Sequence, residues 1–126
     1  MAANPRDTVE SLIRRIDDDP DELHPDITPS VRALGAIGLA AVEPLLDLLL
    51  RADELTRLRA QRALEAILAR RHGFRAGQGF PSAADEDAMR AEWRANGDYD
   101  YAADPQARAA AIAKWRAWLE SAKRRS

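Results

Sequence analysis

Arg32-Ala33-Leu34-Gly35-Ala36-Ile37-Gly38 recurs thirty residues downstream as Arg62-Ala63-Leu64-Glu65-Ala66-Ile67-Leu68, with five of the seven positions identical. Self-similarity at a fixed period marks stacked helical units, each of which buries its apolar face only against a neighbour. The stretch from Thr28 to Leu68 therefore predicts one helical hairpin followed by the start of a second copy, and the rest of the chain is expected to close around it.

Within that stretch, Thr28-Pro29 is a helix start: a side-chain oxygen for the orphan amides, then a residue whose fixed φ suits the first turn. The helix carries Val31, Leu34 and Ile37 and stops at Gly38. A second helix begins near Ala40, tolerates Pro44 in its first turn, and presents Val42, Leu45, Leu46, Leu48, Leu49 and Leu50. Apolar residues nearly all round predict burial on more than one side. A longer helix follows over residues 54–71, with Leu55, Leu58, Ala63, Leu64, Ile67 and Leu68 expected on its inner side.

Upstream, Asn4-Pro5 repeats the start signal, and Val9, Leu12, Ile13 and Ile16 form one apolar stripe. Asp17-Asp18-Asp19-Pro20 ends that helix; three acids there oppose the macrodipole, so the end is expected to fray into a loop. His24, between Glu22 and Asp26, is read as a solvated loop histidine.

Downstream, residues 72–81 hold three glycines and two phenylalanines, with His72 placed to cap the preceding helix. No Gly-Lys-Ser/Thr follows, so this is no phosphate-binding loop, and Phe74 and Phe80 are expected to anchor the connection on the core, with a ligand pocket as the alternative. Ser82 with Asp85 opens a helix presenting Ala88, Met89 and Trp93 that ends at Asn96-Gly97. Asp98, Asp100 and Asp104 lack the glycine and the glutamate of a calcium loop, so no metal is predicted. Asp104-Pro105 starts the last helix, which carries Ala111, Ile112, Trp115, Trp118, Leu119 and Ala122 and ends in Lys123-Arg124-Arg125.

A chain of 126 residues fits one domain, divided here into a capping helix and acidic loop (1–27), a repeat core (28–71) and a Gly/Phe loop with tryptophan-bearing helices (72–126). There is no cysteine, which removes disulfides, thiolate nucleophiles and sulfur-ligated metals together. No apolar run reaches membrane length and no leader pattern opens the chain, so a cytoplasmic protein is expected. The net charge of −2 is distributed in blocks. Eight acids face three arginines in 1–27, seven arginines face three acids in 51–75, and the sign alternates again to the end. Such blocks predict internal compensation or a polarised surface.

The segment from Pro29 to Leu46 resembles a HEAT repeat, most closely the short bacterial variety named after phycobilisome lyases. There a Val-Arg, Ala-Leu, Ile-Gly helix turns at glycine into an Ala-Val-x-Pro-Leu-Leu helix; here the residues are Val31-Arg32, Ala33-Leu34, Ile37-Gly38 and Ala41-Val42-Glu43-Pro44-Leu45-Leu46. Leu58-Arg59, Ala63-Leu64 and Ile67 match the first helix of a second unit, but Leu68 replaces the turn glycine and no second-helix segment follows. The resemblance implies an all-α, short HEAT-like solenoid or bundle of about six helices whose flanking helices act as caps, and protein binding as a class of function.

No catalytic constellation is legible, so a non-enzymatic interaction module without cofactor is expected, an adaptor or small subunit that binds a protein partner. Arg57, Arg59, Arg62, Arg70 and Arg71 are the candidate partner-binding residues, lining a basic groove for an acidic peptide or phosphate, with Arg59 alternatively paired to Asp53. Trp118 joins them as the tryptophan expected to stay partly exposed. The absence of stacking aromatics on the arginine helix argues against nucleic acid. The resemblance also allows an accessory subunit of a tetrapyrrole lyase, and small acidic domains of this kind include toxin-neutralising inhibitors.

Overall fold

The computed structural model describes residues 8–51 and 53–125. It is all-helical: α1 (Val9–Arg14), α2 (Pro29–Ile37), α3 (Val42–Arg51), α4 (Glu54–Arg71), α5 (Ala83–Ala95) and α6 (Pro105–Arg125), with no strand among the described residues. No single helix among these residues is long and apolar enough to cross a membrane.

The starts of α1, α2, α4 and α5 are each set by a short polar side chain that accepts from an orphan amide of the first turn, whereas α3 continues from a turn that has no side-chain cap. Thr8 accepts from Ser11, Thr28 from Val31, Asp53 from Thr56, and Ser82 from Asp85. The Asn4-Pro5 start lies outside the described residues. Gly38 ends α2 at φ +90°, a conformation open to glycine and costly for other residues, and a single 3-10 turn over Leu39–Ala41 redirects the chain by 120° into α3.

α2 lies against α4, α3 against α4 and α6, and α1 closes over α2 and α3. The two copies of the repeated heptapeptide face each other across the α2/α4 seam, and Leu34 and Leu64 are both wholly removed from solvent. Leu45, Leu46, Leu49, Ile67, Leu68, Ile112, Trp115 and Leu119 complete one continuous interior. Fully burying side chains of this size is worth about 1.5–3 kcal/mol each.

Three expectations about packing are corrected. Leu50 is 56% exposed and Leu55 44%, because both stand at the α3/α4 corner where the chain turns away from the core. α5 buries no residue completely, and Ala88 is exposed, so this helix rests on the bundle through the half-buried Met89, Glu92 and Trp93. The acidic turn after α1 does leave the helix, yet it is pinned: Thr28 Oγ1 donates to the Ile16 carbonyl at 2.8 Å, and Thr56 Oγ1 donates to the Asp17 carboxylate at 3.0 Å.

Candidate functional site

The arginines of α4 point in several directions, and the structure divides them. Arg59 is buried, donates through Nη1 to Asp17 at 2.8 Å and through Nε to the Pro25 carbonyl at 3.0 Å. The proposed pairing with Asp53 is therefore corrected: Asp53 is occupied as the α4 cap, and the charge that meets Arg59 comes from forty-two residues upstream. Arg57 donates to the Tyr101 carbonyl at 3.3 Å and helps hold the turn before α6. Arg71 lies over the Trp118 ring, 5.5 Å from its centroid. Arg57, Arg59 and Arg71 thus serve the fold, and a single basic groove containing all five arginines is not formed.

Arg62 and Arg70 do share a surface. A groove of about 970 Å³ opens between α4 and α5, with Arg62, Glu65, Ala66, Ala69 and Arg70 along one side. Glu86, Met89, Arg90, Trp93 and Arg94 line the other. Both sets recur at i, i+3, i+4, i+7 and i+8, so each is one continuous ridge of its helix. Phe74 and Phe80 from the intervening loop also line the groove, edge to face with ring centroids 5.3 Å apart. They are half-buried there and lie outside the main core, which corrects the expectation that they anchor the loop to the interior. Arg32 and Ile27 border the groove from the α2 side.

The charges of the groove are partly neutralised, by Glu65 and Glu86 within its lining and by Asp26 and Asp21 outside it. Arg62 donates through Nε to Asp26 at 2.6 Å and through Nη1 to Glu65 at 2.8 Å. The hydrogen bond from this guanidinium holds the Asp26 carboxyl below its ordinary range against the opposing effect of burial. Arg90 holds Glu86 at 2.8 Å and Arg32 lies 3.6 Å from Asp21. Acids of the 1–27 block thus meet the basic α4, as the alternating charge blocks allow.

Trp118 is partly buried and fully engaged. Its Nε1 donates to Glu92 Oε2 at 2.9 Å, its ring stands edge to face with Trp115 at 5.1 Å, and Trp115 meets Trp93 at 5.5 Å. His72 Nε2 lies 2.8 Å from the other Glu92 oxygen, so one carboxylate ties the end of α4, the middle of α5 and α6 together. Burial pushes the Glu92 carboxyl up, but the hydrogen bonds from His72 and Trp118 outweigh it and leave the group below its ordinary value. Asp100 and Asp104 accept from the amides of Ala102 and Ala107 at 2.8 Å, which makes them turn and cap residues. Among the described residues no cluster of three or more His, Asp or Glu side chains suits a metal ion.

Sequence reasoning places Met89 and Trp93 on a helix face with Ala88 and does not single out Arg90 or Arg94; the i, i+3, i+4, i+7, i+8 spacing of Glu86, Met89, Arg90, Trp93 and Arg94 is the signal that marks the ridge. Fold and groove together define a small all-α domain with an open, arginine-rimmed trough. No protein-family model, no curated protein and no solved structure matches the chain.

Proposed function

We propose that this protein is a non-enzymatic interaction module, an adaptor or small subunit, that seats a helical segment of a partner protein in the groove between α4 and α5. The observation that carries this reading is the pair of helical ridges, 62–70 and 86–94, flanking a half-buried apolar floor of Ala66, Ala69, Met89 and Trp93 that no other helix of the described chain fills. Two ridges at helical spacing leave a trough shaped for a third helix, and an amphipathic helix laid into such a trough is a recurrent mode of recognition. Met89 adds an unbranched side chain that adapts to differing guests.

The helix order supports a HEAT-like reading of the scaffold. α2 and α4, which carry the two copies of the repeated heptapeptide, pack on each other, and α3 packs on α6. Phosphate recognition by the whole α4 arginine set is disfavoured, since Arg59 is buried and Arg62 is held between two carboxylates.

Affinity capture of the tagged chain in its native host tests this, with Ala69→Trp as the comparison because the indole fills the trough from its floor. A stoichiometric partner retained by the native chain and reduced at least tenfold by Ala69→Trp, at unchanged helical circular dichroism, is the expected result. Equal recovery by both chains, or a lone monomer that retains nothing, overturns the proposal.

A further inference from the structure

We infer that the occupant of the α4/α5 groove is an acidic amphipathic helix, with Asp or Glu placed opposite Arg70 and Arg94; this rests on the groove reading above. Of the five arginines in the lining, Arg62, Arg90 and Arg32 each already hold a carboxylate of this chain. Arg70 and Arg94 are exposed and have no acidic partner among the described residues, and each stands at the C-terminal end of its ridge. Asp98 is the only carboxylate of the lining without a cation partner among the described residues, so two unpaired cations face one unpaired anion around an apolar floor.

That arrangement discriminates. An apolar stripe alone would seat on Ala66, Ala69, Met89 and Trp93, but a guest with basic flanks would bring like charges onto Arg70 and Arg94, and one with neutral flanks would leave both guanidiniums without a counter-charge. A carboxylate suits the planar fork of arginine, which accepts it in a bidentate geometry. Each ridge covers nine residues, about 12 Å of helix, so the guest needs two to three turns with apolar residues at i, i+3, i+4 and i+7 and acids beside them.

The test is a selection of displayed amphipathic 16-residue helices, with the flanking positions randomised among acidic, basic and neutral residues, on the native chain. Selected helices are then titrated against Arg70→Glu/Arg94→Glu and against Ala69→Trp, each first checked for native circular dichroism. The inference expects enrichment of Asp and Glu at the flanks, a loss of at least tenfold in affinity with the double charge reversal, and loss of binding with Ala69→Trp. Helices that depend on Ala69 yet show no acidic enrichment, or that ignore the charge reversal, overturn the inference and leave the groove reading in place. Failure to recover any helix whose binding Ala69→Trp abolishes overturns both.

Discussion

Gly35 and Ala66 meet so closely across the α2/α4 seam that a Cβ on Gly35 would stand 2.7 Å from the Ala66 methyl. The contact joins the two copies of the repeated heptapeptide, and it explains why the first copy has glycine inside a helix. Glycine there costs about 1 kcal/mol in helix propensity relative to alanine. Close approach of the helices offsets that cost by bringing Leu34 and Leu64 into one interior.

Gly35→Ala is therefore expected to lower stability by about 1–2 kcal/mol, because overpacking a tight seam outweighs the gain in propensity. Ala66→Gly in the same chain removes the opposing methyl and is expected to restore part of the loss, giving a favourable coupling in a double-mutant cycle. Urea unfolding of the four chains measures it. A more stable Gly35→Ala chain would show the seam to be looser than described.

The buried ion pair at α4 makes an asymmetric prediction. The Arg59 side chain is 7% exposed while Asp17 is 52% exposed, so removing one partner is unlike removing the other. Asp17→Ala strands a desolvated guanidinium and is expected to cost about 2–4 kcal/mol. Arg59→Met leaves a carboxylate that water and Thr56 still satisfy, and is expected to cost about 1–2 kcal/mol. Chemical denaturation midpoints that reverse this order would contradict the assignment of the burial.

How much of this was legible beforehand depends on the range of the interaction. Thr28, Gly38, Ser82 and Asp104 punctuate the helices from local chemistry alone, and the heptapeptide repeat placed Leu34 and Leu64 inside together. Asp17 rather than Asp53 as the partner of Arg59 depends on how the acidic turn folds back, which no local spacing encodes. The groove was half legible: Arg62 and Arg70 were marked for their charge, while Met89 and Trp93 satisfy a core stripe equally well until the position of α5 is known. Leu55 misled because helical periodicity names a face without saying what covers it.

Glu92 makes stability depend on acid pH. Its carboxyl is held below the ordinary value in the folded chain, so its contribution is fully present above the unfolded carboxylate range, near pH 4.5, and is lost as pH falls through the lower folded value. Glu92→Gln retains an acceptor for Trp118 but has no charge to titrate, so the fall in urea midpoint from pH 6 to pH 3 is expected to be shallower in the variant. Some slope remains, because Asp26 and Asp53 are also held low, Asp26 by its hydrogen bond from Arg62 and Asp53 by the Thr56 amide. Parallel acid limbs for the two chains would remove Glu92 from the linkage.

Gly97 differs from Gly35 in what it touches, and the difference is measurable. It sits at φ +106° after α5, and a Cβ there would lie 2.5 Å from the Ala111 Cα in α6. Gly77 also has a positive φ, +80°, but faces open space. Gly77→Ala carries only the conformational penalty, about 1 kcal/mol, whereas Gly97→Ala adds a collision with backbone and is expected to cost about 3 kcal/mol or more. Because the obstacle includes a Cα, Ala111→Gly cannot relieve it, in contrast to the rescue expected at Gly35, where the nearest atom is a methyl and the backbone is 3.9 Å away. A Gly97→Ala/Ala111→Gly chain that regains native stability in urea unfolding would place α6 farther from the α5 turn than the structure does.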